Sequence, residues 1–268
     1  MQDYKTTRCI GCLWWDDKNG CSCQDWNLRW QCIISTRTKL NGRTISAMLK
    51  GGKGIMRKED IKVLIACEES QAVCIEMRKR GYEAFSCDII ECSGGHPEWH
   101  LKQDVIPLLK LNWDMIIAFP PCTYLSNAGA RHLYKGGRLN IERYEKGLKA
   151  KEFFLKIWNS DCPRIAIENP TPSRIYELPE KTQVIQPYYF GHPFTKRTQL
   201  WLKGLPMLKP TNIVEPERTW CPSGSYSGKH DEKYRGIFTT DRAKNRSKTF
   251  PGIARAMAEQ WGAVIEGE

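Results

Sequence analysis

The stretch Trp113–Cys122, WDMIIAFPPC, decides how the chain is read. Its apolar run suits a short strand buried on both faces. Pro120 and Pro121 then fix the backbone twice and remove two N–H donors, so a sheet cannot continue through them. A thiol, Cys122, comes directly after this stiffened turn. One reading is a small buried apolar residue. The other is a nucleophile held at the rim of a cleft, because a thiolate is strongly nucleophilic at neutral pH once its surroundings lower its pKa.

Working outward, the same pattern of short apolar runs recurs. IKVLIAC (61–67) reads as a strand, followed by a helix capped by Ser70 and running through Arg80 to a stop at Gly81. YEAFSCDII is a second strand finishing on Asp88, and the loop ECSGGHPEWHLKQ leads to Asp104 and a short helix around VIPLLKL. After a polar loop (123–141), RYEKGLKAKEFFLKIW reads as a helix with Leu148, Phe154 and Ile157 on one side, and RIAIEN as a fourth strand. Alternation of this kind predicts an α/β fold, a doubly wound and mostly parallel Rossmann-like sheet. Ligands of such sheets bind outside the carboxyl ends of the strands. Glu68, Asp88, Cys122 and Glu168 all fall at those ends.

Each strand end has two readings. CEES, Cys67 to Ser70, stands where a nucleotide-binding turn carries glycines, which disfavours phosphate cradling and favours a phosphate-free cofactor. Asp88 suits the two hydroxyls of a ribose and equally a cap or a surface acid. Asp104 suits an adenine amino group or the N-cap of the helix after it. Glu168 is either a structural acid or an acid that donates to a ring nitrogen. Arg197, in PFTKRTQLWL, is a phosphate clamp, an orienting group or one more surface cation.

Taken in order, the strand ending in PPC, the strand ending in ENP and the KRTQLWL strand resemble the DNA cytosine-5 methyltransferases, in a phage-like version with a short recognition segment. TFPGIARAMAEQWG resembles that family's last motif, a helix packing beside the first strand. The resemblance covers residues 61–205 and 249–262. It implies that Cys122 attacks C6 of a flipped-out cytosine, Glu168 serves N3, and Arg197 helps hold the base, with S-adenosylmethionine as methyl donor. It places the cofactor against Cys67, Glu68, Glu69, Ser70, Asp88, Ile89, Asp104, Val105, Phe119, Pro120, Gly252 and Ile253. Three features depart from the family: CEES replaces the glycines, Thr123 follows the cysteine where glutamine is usual, and only about 40 residues separate KRTQLWL from TFPG.

Charge points the same way. The net charge of +11 is uneven: residues 1–60 hold eleven cations against six acids, residues 61–195 are near balance, and residues 196–268 carry thirteen against eight. Basic ends on a near-neutral centre suit a polyanion, with a solvated basic surface as the alternative. Contacts are expected from Arg131, Lys135, Arg138 and Lys196, and from Trp220, Tyr234, Arg242 and Lys244 in the recognition-like segment 206–248. DNA is the expected partner, with a restriction endonuclease as the further partner the family implies. The same chemistry on RNA or a free nucleotide, and an inactive DNA-binding relative, are the alternatives.

Residues 1–55 read as a separate cysteine-rich module and linker before a methyltransferase domain at 56–268. Cys9, Cys12, Cys21, Cys23 and Cys32 offer five thiols for the four places of a structural Zn2+, against a tryptophan-packed knot with unligated thiols. Cys92, His96 and His100 read as ordinary loop polars rather than a metal site. No apolar run reaches the roughly 20 residues of a membrane span. A cytoplasmic monomer is expected.

Overall fold

A computed structural model of the chain describes residues 57–220 and 246–267, together with two short strands at the amino end. The chain divides into two units, Met1–Ile55 and Met56–Glu268. In the first, Trp15–Asp16 pairs antiparallel with Gly20–Cys21. Cys9, Cys12, Cys23 and Cys32 lie outside the described residues.

The second unit is built on a seven-stranded sheet. Its strands are β1 (Lys62–Ala66), β2 (Glu83–Asp88), β3 (His100–Lys102), β4 (Met115–Ala118), β5 (Ile165–Pro170), β6 (Gln183–Ile185) and β7 (Thr198–Lys203). They lie in the order β6-β7-β5-β4-β1-β2-β3, parallel except for β7, which runs antiparallel to both neighbours. The order reverses between β1 and β4, which opens a crevice at their carboxyl ends, the usual ligand site of such sheets. The sheet is mixed and mostly parallel, compatible with the expected Rossmann-like class.

Burial on both faces explains the unbroken apolar runs. Val63, Ile65, Met115, Ile117, Ala166 and Leu200 join one cluster with helices α1 (Ala72–Lys79) and α3 (Pro251–Glu266). The alternate residues Leu64, Ile116, Ile165, Ile167 and Trp201 are buried as well. Helix α2 (Ile141–Trp158) sets Phe154 edge-on against Trp201, ring centroids 5.1 Å apart. Asn140 begins α2 by accepting from the Arg143 backbone N–H at 3.2 Å. Gly147 is required where α2 crosses Tyr176, since a Cβ there would lie 2.1 Å from the phenol ring.

Several expectations are corrected. Ser70 does not cap α1. Gln71 occupies the cap position in the left-handed region (φ 57°), and the Glu68 carboxylate accepts from the N–H groups of Val73 and Cys74 at 2.8 and 3.2 Å. Leu148 is not on the buried side of α2; it is 40% exposed. The ECSGG loop runs into a three-residue edge strand, β3, too short to show a period. The loop after Cys122 carries a hairpin, Tyr134–Lys135 with Arg138–Leu139. Its tip, Gly136–Gly137, has positive φ at both residues, as a type I′ turn demands.

Candidate active site

The strand Met115–Ala118 ends just before the two prolines. The Phe119 N–H still reaches the Ala66 carbonyl at 2.9 Å, after which ladder bonding stops. The Cys122 carbonyl accepts from Leu125 and Ser126, closing a tight turn around the thiol. Two braces hold this turn. The buried Asn169 side chain donates to the Pro120 carbonyl at 3.2 Å, and Arg143 donates to the Thr123 carbonyl at 3.0 Å while its guanidinium lies over the Tyr124 ring. The Asn of ENP is thus a loop anchor that sequence reasoning missed; its signal was its place beside Glu168. Cys122 is partly exposed, as a nucleophile must be and a packing residue need not.

Glu168 lies within β5 rather than at its end, because β7 extends the pairing to Pro170. Glu168, Lys196, Thr198, Phe250, Ile253 and Met257 line one narrow cleft. Burial raises the Glu168 pKa, while the Lys196 charge and a hydrogen bond from the Thr198 side chain pull it down. Burial also raises the Cys122 pKa. The Glu168 charge raises it further, and the charges of Lys196 and Arg246 oppose them. Thiol and carboxyl are therefore linked: protonating Glu168 removes a charge that disfavours the thiolate.

The cation of this cleft is Lys196, not Arg197. Arg197 is exposed, whereas the Lys196 ammonium donates to the Arg246 carbonyl at 2.8 Å and lies 5.9 Å from the Phe250 ring centroid. Side chains alternate along an extended chain, so Lys196 and Thr198 share the side of Glu168 and Arg197 points the other way. Trp220, expected as a surface for stacking bases, instead packs against Phe194 and Phe250, centroids 4.7 and 5.2 Å away. Lys135 and Arg138 are exposed and opposite each other on the hairpin. Arg131 lies in the short helix Asn127–His132. Tyr234, Arg242 and Lys244 lie outside the described residues.

No family model matches this chain, and no curated protein matches it.

The residues expected at a cofactor fall on or just after β1, β2, β3 and β4, with Gly252 and Ile253 on α3. Cys67 takes φ 59°, a conformation that favours glycine, so the turn keeps the glycine geometry without the glycine. Burial raises the Cys67 pKa, and the charges of Asp88, Cys87 and Asp104 raise it further. Ser70 is partly buried, and its carbonyl backs onto Gly94. Gln71, fully buried, ties the turn to the next loop by donating to the His96 carbonyl and accepting from the His96 N–H. Both carboxylate oxygens of Glu69 are buried with no hydrogen-bond partner among the described residues, an arrangement that calls for a cation. Asp88 spends Oδ1 on the Ile90 N–H at 3.3 Å, and beside it Ile89 is 73% exposed. Asp104 accepts from the Ile106 N–H at 2.9 Å in a local turn; it does not cap the short helix Leu108–Lys110, whose cap position is Pro107. Val105 and Pro120 are buried, Phe119 is partly buried against the core, and Gly252 and Ile253 open α3. Glu68 is the exception, since both its oxygens serve α1.

His96 pairs with Glu98, and His100 with Ser86 and the Ile90 carbonyl. Among the described residues no group of three or more His, Cys, Asp or Glu is placed to hold a metal, and no helix among them is long and apolar enough to cross a membrane.

Proposed function

We propose that the chain is a DNA cytosine-5 methyltransferase using S-adenosylmethionine. The observation that carries this reading is that a braced, partly exposed Cys122 lies within electrostatic reach of the half-buried Glu168 and Lys196 near the carboxyl ends of a doubly wound sheet. A cation without phosphates fits the crevice: the Glu69 carboxylate, unpartnered among the described residues, suits the methionine ammonium, Asp88 the ribose hydroxyls, and exposed Ile89 a face of the adenine. When bound, the cofactor supplies an electrophilic methyl group.

The chain's own residues do the rest. The Cys122 thiolate forms a bond to C6 of the pyrimidine while protonated Glu168 passes its proton to N3, so the ring electrons collect at C5 as an enamine. After C5 has gained the methyl group, loss of the C5 proton to a base re-forms the C5–C6 double bond and expels the thiolate; N3 returns its proton to Glu168. The upward push on the Glu168 pKa serves this donor role. The base must leave the stack for a thiol to reach C6, and the Lys135–Arg138 hairpin supplies exposed cations for backbone phosphates next to that loop.

The test is covalent trapping. Duplex DNA, RNA and a free nucleotide, each bearing 5-fluorocytosine, are incubated with S-adenosylmethionine and the full chain. The expected result is an adduct on duplex DNA, mapped by mass spectrometry to Cys122 and lost in Cys122→Ser. Adducts confined to RNA or nucleotide would move the substrate class, and no adduct on any would end the covalent reading.

A further inference from the structure

Helix α3 starts where ordinary capping fails. Phe250 at the cap position supplies no side-chain acceptor, and Pro251 has no N–H. The first donor, the Gly252 N–H, is accepted instead by Nε2 of His192 at 3.0 Å. The approach is close: a Cβ on Gly252 would lie 2.0 Å from the Phe190 carbonyl oxygen. The imidazole is partly buried against Phe250, ring centroids 5.1 Å apart. Phe250 and Ile253, on either side of that bond, wall the cleft that holds Glu168 and Lys196.

An imidazole accepts through Nε2 only while that nitrogen keeps its lone pair; protonation makes it a donor facing a donor. We propose that neutral His192 is a positioning residue, a latch that holds the first turn of α3 against the Glu168 cleft, and that its protonation releases this turn. The charge acting on it is a cation, Arg255 on α3. The positive end of α3 adds to it. Burial first, then Arg255, hold the imidazole below its ordinary 6.5. A folded-state pKa below the unfolded value means that the latch is whole above about pH 6.5 and is lost as pH falls through the folded value. The significance for methyl transfer rests on the function proposed above; the latch itself does not.

Hydrogen exchange of the full chain, read by mass spectrometry at pH 7.5 and 5.0 and corrected for intrinsic rates, tests it. In the wild type, protection over residues 249–257 should fall at least about tenfold at pH 5.0 while β1 stays protected. His192→Gln keeps an acceptor that does not titrate and should be protected at both pH values. His192→Ala should be unprotected at both. Equal protection of the wild type at the two pH values, or a glutamine variant that loses protection as the wild type does, overturns the latch. Failure of methyl transfer would leave these readouts unchanged.

Discussion

Replacing Glu68 by glutamine asks whether this carboxyl group caps a helix or serves a cofactor. Glu68 is 4% exposed, and its two oxygens accept from the N–H groups of Val73 and Cys74. Burial pushes its pKa up to about 8, against the downward pull of those two bonds. In the unfolded chain it ionises near 4.5. The folded value is the higher one, so its contribution to stability is whole below the unfolded value and is lost as pH rises through the folded one. Over most of pH 6 to 9 the folded state keeps a proton that the unfolded chain has shed. At about 1.4 kcal/mol per pH unit, this removes on the order of 2.5 kcal/mol across that range. Glutamine does not titrate. It keeps an acceptor for one N–H and sets an amide donor against the other, a loss of about 1–3 kcal/mol. The variant should therefore be less stable at pH 6, and the gap should shrink by roughly 2.5 kcal/mol by pH 9. Urea unfolding extrapolated to water at both pH values measures the gap. A gap that stays constant refutes the linkage. Unchanged stability with weakened S-adenosylmethionine binding would make Glu68 a cofactor ligand instead.

Three further outcomes concern the site and the core. Lys196→Met removes a charge that favours the Cys122 thiolate, so iodoacetamide alkylation of Cys122 at pH 8 should slow by roughly threefold to tenfold, whereas Arg197→Ala should leave the rate unchanged; equal effects would return Arg197 to the site. Asn169→Ala should cost about 1–3 kcal/mol in urea unfolding by leaving the buried Pro120 carbonyl without its donor, and limited proteolysis should then cut the Cys122 loop sooner than in the wild type. Glycine to alanine in a helix ordinarily gains about 1 kcal/mol, but Gly147→Ala meets the Tyr176 ring, so its melting temperature should fall rather than rise.

The parallel core was legible because strands buried on both faces are written as unbroken apolar runs: Lys62–Ala66, Met115–Ala118 and Ile165–Ile167 need no partner to be recognised. Strand β3 was not, since three residues, one of them the exposed Lys102, carry no period. The cap of α1 escapes a reading by residue type because Ser70 has the usual cap chemistry, whereas Glu68 reaches the same donors from before a left-handed residue. At the site, Cys122 and Glu168 stood out through their proline neighbours. Asn169 and His192 did not, since each acts on a backbone atom 49 or 60 residues away. Choosing between Lys196 and Arg197 required knowing which face of β7 meets Glu168, and in TKRTQLWL both faces are polar at the start and apolar at the end.

The antiparallel course of β7 has a consequence for how this centre can vary. Because the strand begins, rather than finishes, at the reactive rim, the ammonium beside Glu168 is chosen by register. Sliding β7 by a single residue would swap the lysine for a guanidinium. The obstacle to such a slip is remote from any chemistry: Leu200 and Trp201 are wedged into opposite hydrocarbon layers and cannot trade places. Oil-facing side chains a few positions downstream thus select the polar head that meets the substrate, and a repacked layer beneath the sheet would be felt first as a change of cation.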